Sequence, residues 1–287
     1  MQILPEWEAL ASLLEQSGGG CVYVAGATDR GKSTLCRYLT ETLADSLPAA
    51  FIDTDTGQSS IGPPATIGMA WHPATATRPA AVFLRFTGST SPRRQIPAYF
   101  AAARRLLDHA RMLGARAVII DTPGYVTGPA AEAFHIALID LVRPDHIVAC
   151  EHGHEIDPIL RTFSSGRAIR IHRFPVSPAV RVRSRIDRAR NREMKFKEYF
   201  LNAKVQDITL AGCGIFGDLP ETLFPGAWEG RLCALCDTDF FVLALGVVET
   251  LDPERGCMRM LAPPFDAGRI AAVHIGSLSL REQKCPP

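Results

Sequence analysis

Nine residues constrain this chain more than any others. Gly26-Ala27-Thr28-Asp29-Arg30-Gly31-Lys32-Ser33-Thr34 fits G-x-x-x-x-G-K-[ST], follows the apolar run CVYVA (21–25), and leads into residues of helical character (32–44). A strand, a glycine-rich turn and a helix in that order aim successive backbone N–H groups at one spot. The helix N-terminus adds unpaired donors and a favourable dipole there. Such a turn wraps a polyphosphate. Lys32 would reach the β and γ phosphates and the Ser33 hydroxyl would ligate Mg²⁺. Gly26, Thr28, Asp29, Gly31 and Thr34 complete the nucleotide-binding turn.

The pattern around this turn sets the fold class. Apolar runs at 50–53, 80–86, 115–121, 145–151 and 167–174 alternate with helical stretches at 93–113, 130–142, 156–163 and 183–202, after a first short amphipathic helix at 7–15. Continuous apolar strands separated by helices predict an α/β P-loop NTPase fold, a mostly parallel sheet flanked by helices. Residues 54–79 hold three glycines and four prolines and read as a long loop. After about residue 204 the texture changes. ITLAGC, RLCALC, DFFVLALGVVE and RIAAVHIGSL read as strands with short turns. The expected organisation is a P-loop domain over 1–203, with a basic helix at about 181–203, and a small β-rich domain over 204–287.

Composition excludes several classes. With 47% hydrophobic and 21% charged residues among 287, the chain is not globally disordered. No stretch of 18 or more apolar residues is present, so no membrane association is expected. The N-terminal MQILPEWEALASLLEQ lacks the basic region of a signal peptide. Together these predict a cytoplasmic protein. Eight cysteines scattered through apolar strings fit a reduced compartment. Cys233-Ala-Leu-Cys236 has metal-ligand spacing but no second pair, and alternation along a strand would send its thiols to opposite faces. His152-Gly-His154 reads as a loop.

Three further strings carry chemistry. Asp53-Thr54-Asp55 closes the strand AFI, so its two carboxylates point to one side at the edge where a parallel sheet binds its ligands. One could hold Mg²⁺ or its waters while the other accepts a proton from a nucleophile. Asp121 closes ARAVII and opens DTPG, the Walker B arrangement of an acid beside a P-loop strand. The same string occurs in GTPases, but the N-K-x-D that reads guanine is missing from this chain. Finally, residues 167–197 carry eleven basic and two acidic side chains. This local +9 lies within a chain of net charge +1 and predicts a phosphate-facing surface, with Arg181, Arg185, Arg188 and Arg192 on one helical face.

Taken in order, GATDRGKST, DTDTGQSSIGPP, FTGSTSP, DTPGYVTG and RSRIDRARNREMKFKEYF resemble the polynucleotide 5′-hydroxyl kinase family, in a compact form. Eukaryotic members of that family work in mRNA 3′-end cleavage and polyadenylation, tRNA splicing and ribosomal RNA processing. The resemblance implies ATP-dependent phosphorylation of a 5′-hydroxyl end of RNA or DNA, with ATP and Mg²⁺ as cofactors and no obligate protein partner. It implies that Lys32 contacts the transferring phosphate and that Asp55 is the general base, supported by Asp53 at the metal. Gln58 shapes the site, Thr90, Ser91 and Pro92 clasp the lysine–phosphate region, and Tyr125 stands where many members stack a tryptophan on the terminal base. Arg188 and Arg192 match the R-x-x-x-R of a lid over the triphosphate, with Arg183 beside them. Where many members place asparagine after the clasp proline, this chain has Arg93, Arg94 and Gln95. Eukaryotic members usually carry a β-rich domain before the P-loop, whereas about 20 residues precede it here. Competing readings are a P-loop GTPase or ATPase switch of the metal-chaperone type and an ATP-holding scaffold for RNA processing.

Overall fold

The computed structural model describes residues 2–164, 169–222 and 224–280. Helix α1 (Pro5–Gln16) begins with a proline in its first turn, where a missing N–H costs nothing, and buries Trp7, Leu10, Ala11 and Leu14. Strand β1 (Gly20–Ala25) then enters the sheet and runs through the P-loop into α2 (Lys32–Ala44). Next come β2 (Ala49–Asp53), β3 (Thr66–His72), β4 (Ala81–Phe86), α3 (Ile96–Met112), β5 (Ala117–Asp121), α4 (Pro129–Val142), β6 (His146–Glu151), α5 (Asp157–Arg161) and β7 (Arg170–Pro175). The strand order is β4-β3-β2-β5-β1-β6-β7. Strands β2, β5, β1, β6 and β7 pair in parallel, whereas β3 runs antiparallel between β2 and β4.

Alternation along β1 divides the core. Cys21, Tyr23 and Ala25 pack with α3, α4 and α5, while Val22 and Val24 pack with α1 and α2. Both faces are covered, as the continuous apolar strands require. No helix among the described residues is long and apolar enough to cross a membrane.

Three sequence expectations change. Residues 54–79 are not one loop: TIGMAWH (66–72) forms β3, with Ile67 and Met69 fully buried. Its flanking prolines at 63, 64 and 73 bracket the strand rather than interrupt it. The helix expected from 181 begins at Arg185 as α6 (Arg185–Tyr199). Ser184 caps it, accepting from Asp187 N while the Asp187 carboxylate accepts from Ser184 N, so Arg181 and Arg183 lie in the extended approach and off the helical face. The strand read from 167 is seen from Arg170. Residues 167 and 168, with Arg167 of the basic stretch, lie outside the described residues.

Beyond α6 the chain forms β8 (Lys204–Thr209), β9 (Gly214–Gly217), the single turn α7 (Pro225–Trp228), β10 (Arg231–Cys236), β11 (Val242–Asp252), β12 (Cys257–Ala262) and β13 (Ala272–Ser279). These strands make a second sheet in the order β8-β12-β11-β10-β13-β9. ITLAGC (208–213) is therefore the end of β8 and a turn, because Gly212 takes a left-handed conformation (φ +79°).

One face of this sheet meets the first unit. Phe86, at the end of β4, packs edge-on to His274 with ring centres 5.1 Å apart. Ser277 donates to the Gly88 carbonyl through both N–H (3.0 Å) and hydroxyl (3.1 Å). Gly276 permits that approach, since a Cβ there would lie 2.9 Å from the Gly88 oxygen. The end of α6 joins the same layer through Phe196, Tyr199 and Phe200. The Tyr199 hydroxyl accepts from the buried Leu245 N–H at 2.8 Å.

Tyr199→Phe keeps the ring and strands that N–H in the interior. It should lower stability by about 1–3 kcal/mol, read as a reduced urea midpoint at unchanged slope.

Candidate active site

A cavity of about 630 Å³ opens at the carboxyl edge of the first sheet. Its floor is the turn Thr28–Thr34; Asp55, Gln58, Thr122 and Gly124 close one end, and Gln2, Trp7, Arg37 and Ser177–Arg181 the other. The turn is tight because it lies on β6. A Cβ on Gly26 would meet the Cys150 carbonyl at 2.1 Å, so no larger residue fits. Asp29 itself takes a left-handed conformation (φ +57°). Lys32 is buried and its ammonium donates to the Ala27 carbonyl at 2.9 Å, folded back over the turn.

Two carboxylates lie beneath the P-loop. Asp53 and Asp121 end β2 and β5 and are direct neighbours across that parallel pair. Both are buried. Burial and the charge of Asp53 push the Asp121 carboxyl up to about 7, against the opposing pull of Lys32 and Ser33. Burial raises Asp53 as well, against the hydrogen bonds from Ser60. Asp53 is saturated: one oxygen accepts from Asp55 N at 2.9 Å, the other from Ser60 N and from the Ser60 hydroxyl at 2.6 Å. Asp121 is not. Ser33 donates to Oδ2, but the buried Oδ1 has no partner among the described residues. A hydroxyl beside an orphaned carboxylate oxygen is a hard-cation donor set. A divalent ion there would satisfy the orphan and offset the repulsion between the two acids.

Asp55 stands at the mouth. Gly57 N and Gln58 N both donate to Oδ1 at 2.9 Å, which fixes the carboxylate and leaves Oδ2 without a protein donor among the described residues. Gln58 bolts this loop to α6: its amide donates to the Arg188 carbonyl at 3.1 Å and accepts from Asn191 at 3.1 Å. Lys195 donates to the Ser59 carbonyl from the next turn. At the other end of the helix, Asp29 accepts from Arg183 N at 2.9 Å and pairs with the guanidinium groups of Arg183 (3.4 Å) and Arg188 (3.3 Å). The P-loop thus holds two lid arginines by one carboxylate.

Other expected residues lie elsewhere. Arg192 does not line the cavity. It borders a second groove with Thr90, Arg190, Phe196 and Leu278, on the far side of α6. Thr90, Ser91 and Pro92 do not line the cavity either; Thr90 borders the second groove. A Cβ on Gly57 would lie 2.9 Å from the Thr90 carbonyl, which puts this loop against the Asp55 turn. Tyr125 follows Gly124, whose Cα packs on Thr28: a Cβ there would come within 2.5 Å of Thr28 N.

Sequence reasoning missed the support beneath Tyr125. The buried His135 Nε2 lies 2.9 Å from the Tyr125 carbonyl and its Nδ1 2.6 Å from the Tyr23 hydroxyl. A carbonyl only accepts, so Nε2 carries the proton and Nδ1 accepts a hydrogen bond from the Tyr23 hydroxyl. Burial lowers the imidazole to about 4, which keeps this tautomer neutral. Its signal, a histidine in an apolar helix, does not differ from that of an ordinary core residue. Ser60, Asn191 and Lys195 were missed as well: Ser60 binds Asp53 within its own loop, whereas Asn191 and Lys195 reach Gln58 and Ser59 across more than 130 residues.

The weaker motifs are structural. Cys233 and Cys236 sit in apolar clusters on opposite faces of the second sheet, and burial pushes both thiols up to about 12. Glu151, His154 and Asp157 converge, but Arg173 pairs with both carboxylates.

The raised carboxyl carries a pH consequence. A folded-state value near 7 for Asp121, against 3.8 ordinarily, means that the folded protein binds more protons between those limits. The ligand-free protein should therefore lose stability through this group as pH rises from about 4 to about 7, and no further above it. Asp121→Asn should flatten that fall in a series of melting temperatures and raise the value at pH 8.

Comparison with known proteins agrees with this geometry. The family described as the mRNA cleavage and polyadenylation factor CLP1 P-loop matches residues 26–202. The polyribonucleotide 5′-hydroxyl-kinase of Methanocaldococcus jannaschii is 27% identical, over 97% of this chain and 92% of its own length. That of Pyrococcus furiosus is 32% identical, over 72% of this chain and 57% of its own. Among solved structures, a Clp1p–Pcf11p complex superposes with a TM-score of 0.73 at 15% identity, covering 96% of this chain and 79% of the Clp1p chain. The match runs from the P-loop through both acid-bearing strands to the end of α6, and the chain belongs to the CLP1 P-loop family.

Proposed function

We propose that the chain is an ATP-dependent polynucleotide 5′-hydroxyl kinase, acting on RNA as the names of its archaeal relatives suggest. One observation carries the reading: the Asp55 carboxylate, fixed through one oxygen and open at the other, shares a cavity with Lys32, Ser33 and the P-loop amides. An acid so placed has a use in phosphoryl transfer to a hydroxyl, where a proton must leave the attacking oxygen.

The P-loop amides and Lys32 bind and orient the β and γ phosphates of ATP. Ser33 and Asp121 are the residues that would hold Mg²⁺, because Asp53 has both oxygens committed to Ser60 and Asp55. When bound, that ion neutralises charge developing on the phosphate oxygens. Asp53 instead fixes the 55–60 loop, and through it the position of Asp55. Asp55 Oδ2 takes the proton of the 5′-hydroxyl as its oxygen bonds to the γ phosphorus; the bond to the β-γ bridging oxygen breaks and ADP leaves with that electron pair. Arg183 and Arg188, already at the P-loop on Asp29, move a short way to meet the triphosphate. Arg192 faces the other groove and serves the acceptor side. Tyr125 offers its ring to the terminal base.

The test is transfer of labelled γ-phosphate to 5′-OH RNA and DNA oligomers, with GTP as competing donor. Lys32→Ala and Asp55→Asn should each reduce transfer by about 10²–10⁴-fold or more. Asp55→Asn should retain nucleotide binding. Transfer close to wild type by Asp55→Asn would remove Asp55 as the base, and preference for GTP with no product would favour a switch.

A further inference from the structure

Arg93 follows the clasp proline, in a short 3₁₀ turn (Pro92–Arg94). Its guanidinium carbon lies 5.1 Å from the centre of the Tyr125 ring. Two loops that are distant in sequence meet at this point. The clasp loop reaches it past the Thr90 carbonyl, which packs on Gly57; the DTPG turn reaches it past Gly124, which packs on Thr28. Both Gly124 and Asp55 line the nucleotide cavity, so the Arg93–Tyr125 pair sits on its rim beside the expected base. Arg93 is exposed and makes no ion pair among the described residues. That sets it apart from Arg30, Arg173, Arg183 and Arg188, each of which has a carboxylate.

We propose that Arg93 binds the first internucleotide phosphate of the acceptor strand, on the 3′ side of the nucleoside being phosphorylated. The proposal rests on the kinase reading above. A 5′-hydroxyl end carries no phosphate of its own, so the first anion along the strand is the diester to the second nucleotide. A base stacked on Tyr125 would occupy the ring face that Arg93 now covers. The displaced guanidinium remains tethered beside that face, where the sugar-phosphate backbone of the stacked nucleotide must run. Its planar pair of N–H donors matches two phosphate oxygens, and the cation–aromatic contact it gives up is weak at an exposed site. In the free protein Arg93 shields the ring; with substrate it reads the charge that follows. A mononucleoside lacks that charge, so the contact selects polynucleotides over free nucleosides.

The experiment compares two 5′-OH dinucleotides, one with the natural diester and one with a neutral methylphosphonate at the same linkage. In the wild type the diester should show a KM lower by about tenfold, the scale of a charge-assisted contact. Arg93→Ala should raise KM for the diester by a similar factor, leave the methylphosphonate and the KM for ATP unchanged, and keep kcat within about twofold. Arg93→Lys should restore part of the discrimination. Equal loss on both substrates would mean that Arg93 acts only as a stacking partner and would overturn the proposal, as would no loss on either. Binding of the same dinucleotides, 3′-labelled and followed by fluorescence anisotropy, separates this from the kinase reading. Charge-dependent binding lost in Arg93→Ala without any 5′-phosphate formed would uphold the contact and sink the kinase. Binding indifferent to both linkage and variant would overturn the contact whatever the turnover.

Discussion

Two carboxylates that repel each other organise the site. Asp53 and Asp121 are fixed side by side because β2 and β5 pair in parallel register, and both strands end at the phosphate-binding edge. The fold cannot separate them without losing that pairing. It accommodates them unequally: Ser60 and Asp55 N surround Asp53, while Asp121 receives the Ser33 hydroxyl and keeps one bare oxygen. The asymmetry turns a liability in the empty protein into a seat for a cation. Stability given up in the core is recovered when charge of the opposite sign arrives.

The same neighbourhood sets the order of parts around it. Satisfying Asp53 draws the chain from Asp55 to Ser60 into a tight loop, which presents Asp55 to the cavity and Gln58 to α6. The lid helix is therefore held at three places: by Asp29 near its start, by Gln58 and Ser59 along its length, and by the second sheet at Tyr199. The first two contacts use the residues that a triphosphate and acceptor would address, and the third does not.

How much of this the sequence discloses depends on the range over which each feature is determined. The P-loop, Asp121 and the apolar strands are local: a turn, a strand end and a burial pattern are written in consecutive residues. β3 was hidden because prolines on either side looked like loop chemistry, and only pairing with β2 and β4 makes TIGMAWH a strand. The start of α6 is legible in Ser184 and Asp187 as a capping box, although arginine spacing alone extends the helical pattern back to Arg181. Helical spacing and the family resemblance both set Arg192 beside Arg188. Neither lines the cavity: Arg188 turns to Asp29 of the P-loop, whereas Arg192 borders the second groove. The Tyr23–His135–Tyr125 chain joins strand, helix and loop over more than a hundred residues, and no local pattern announces it.

The backbone junction between Gly88 and Ser277 ties the small sheet to the chain between β4 and α3. The phosphate-binding turn joins β1 to α2 inside the first sheet, resting on β6 at Cys150 and on the DTPG turn at Gly124. The loop bearing Thr90, Pro92 and Arg93 starts at that junction and leads into α3, with the Thr90 carbonyl packed on Gly57 of the Asp55 turn.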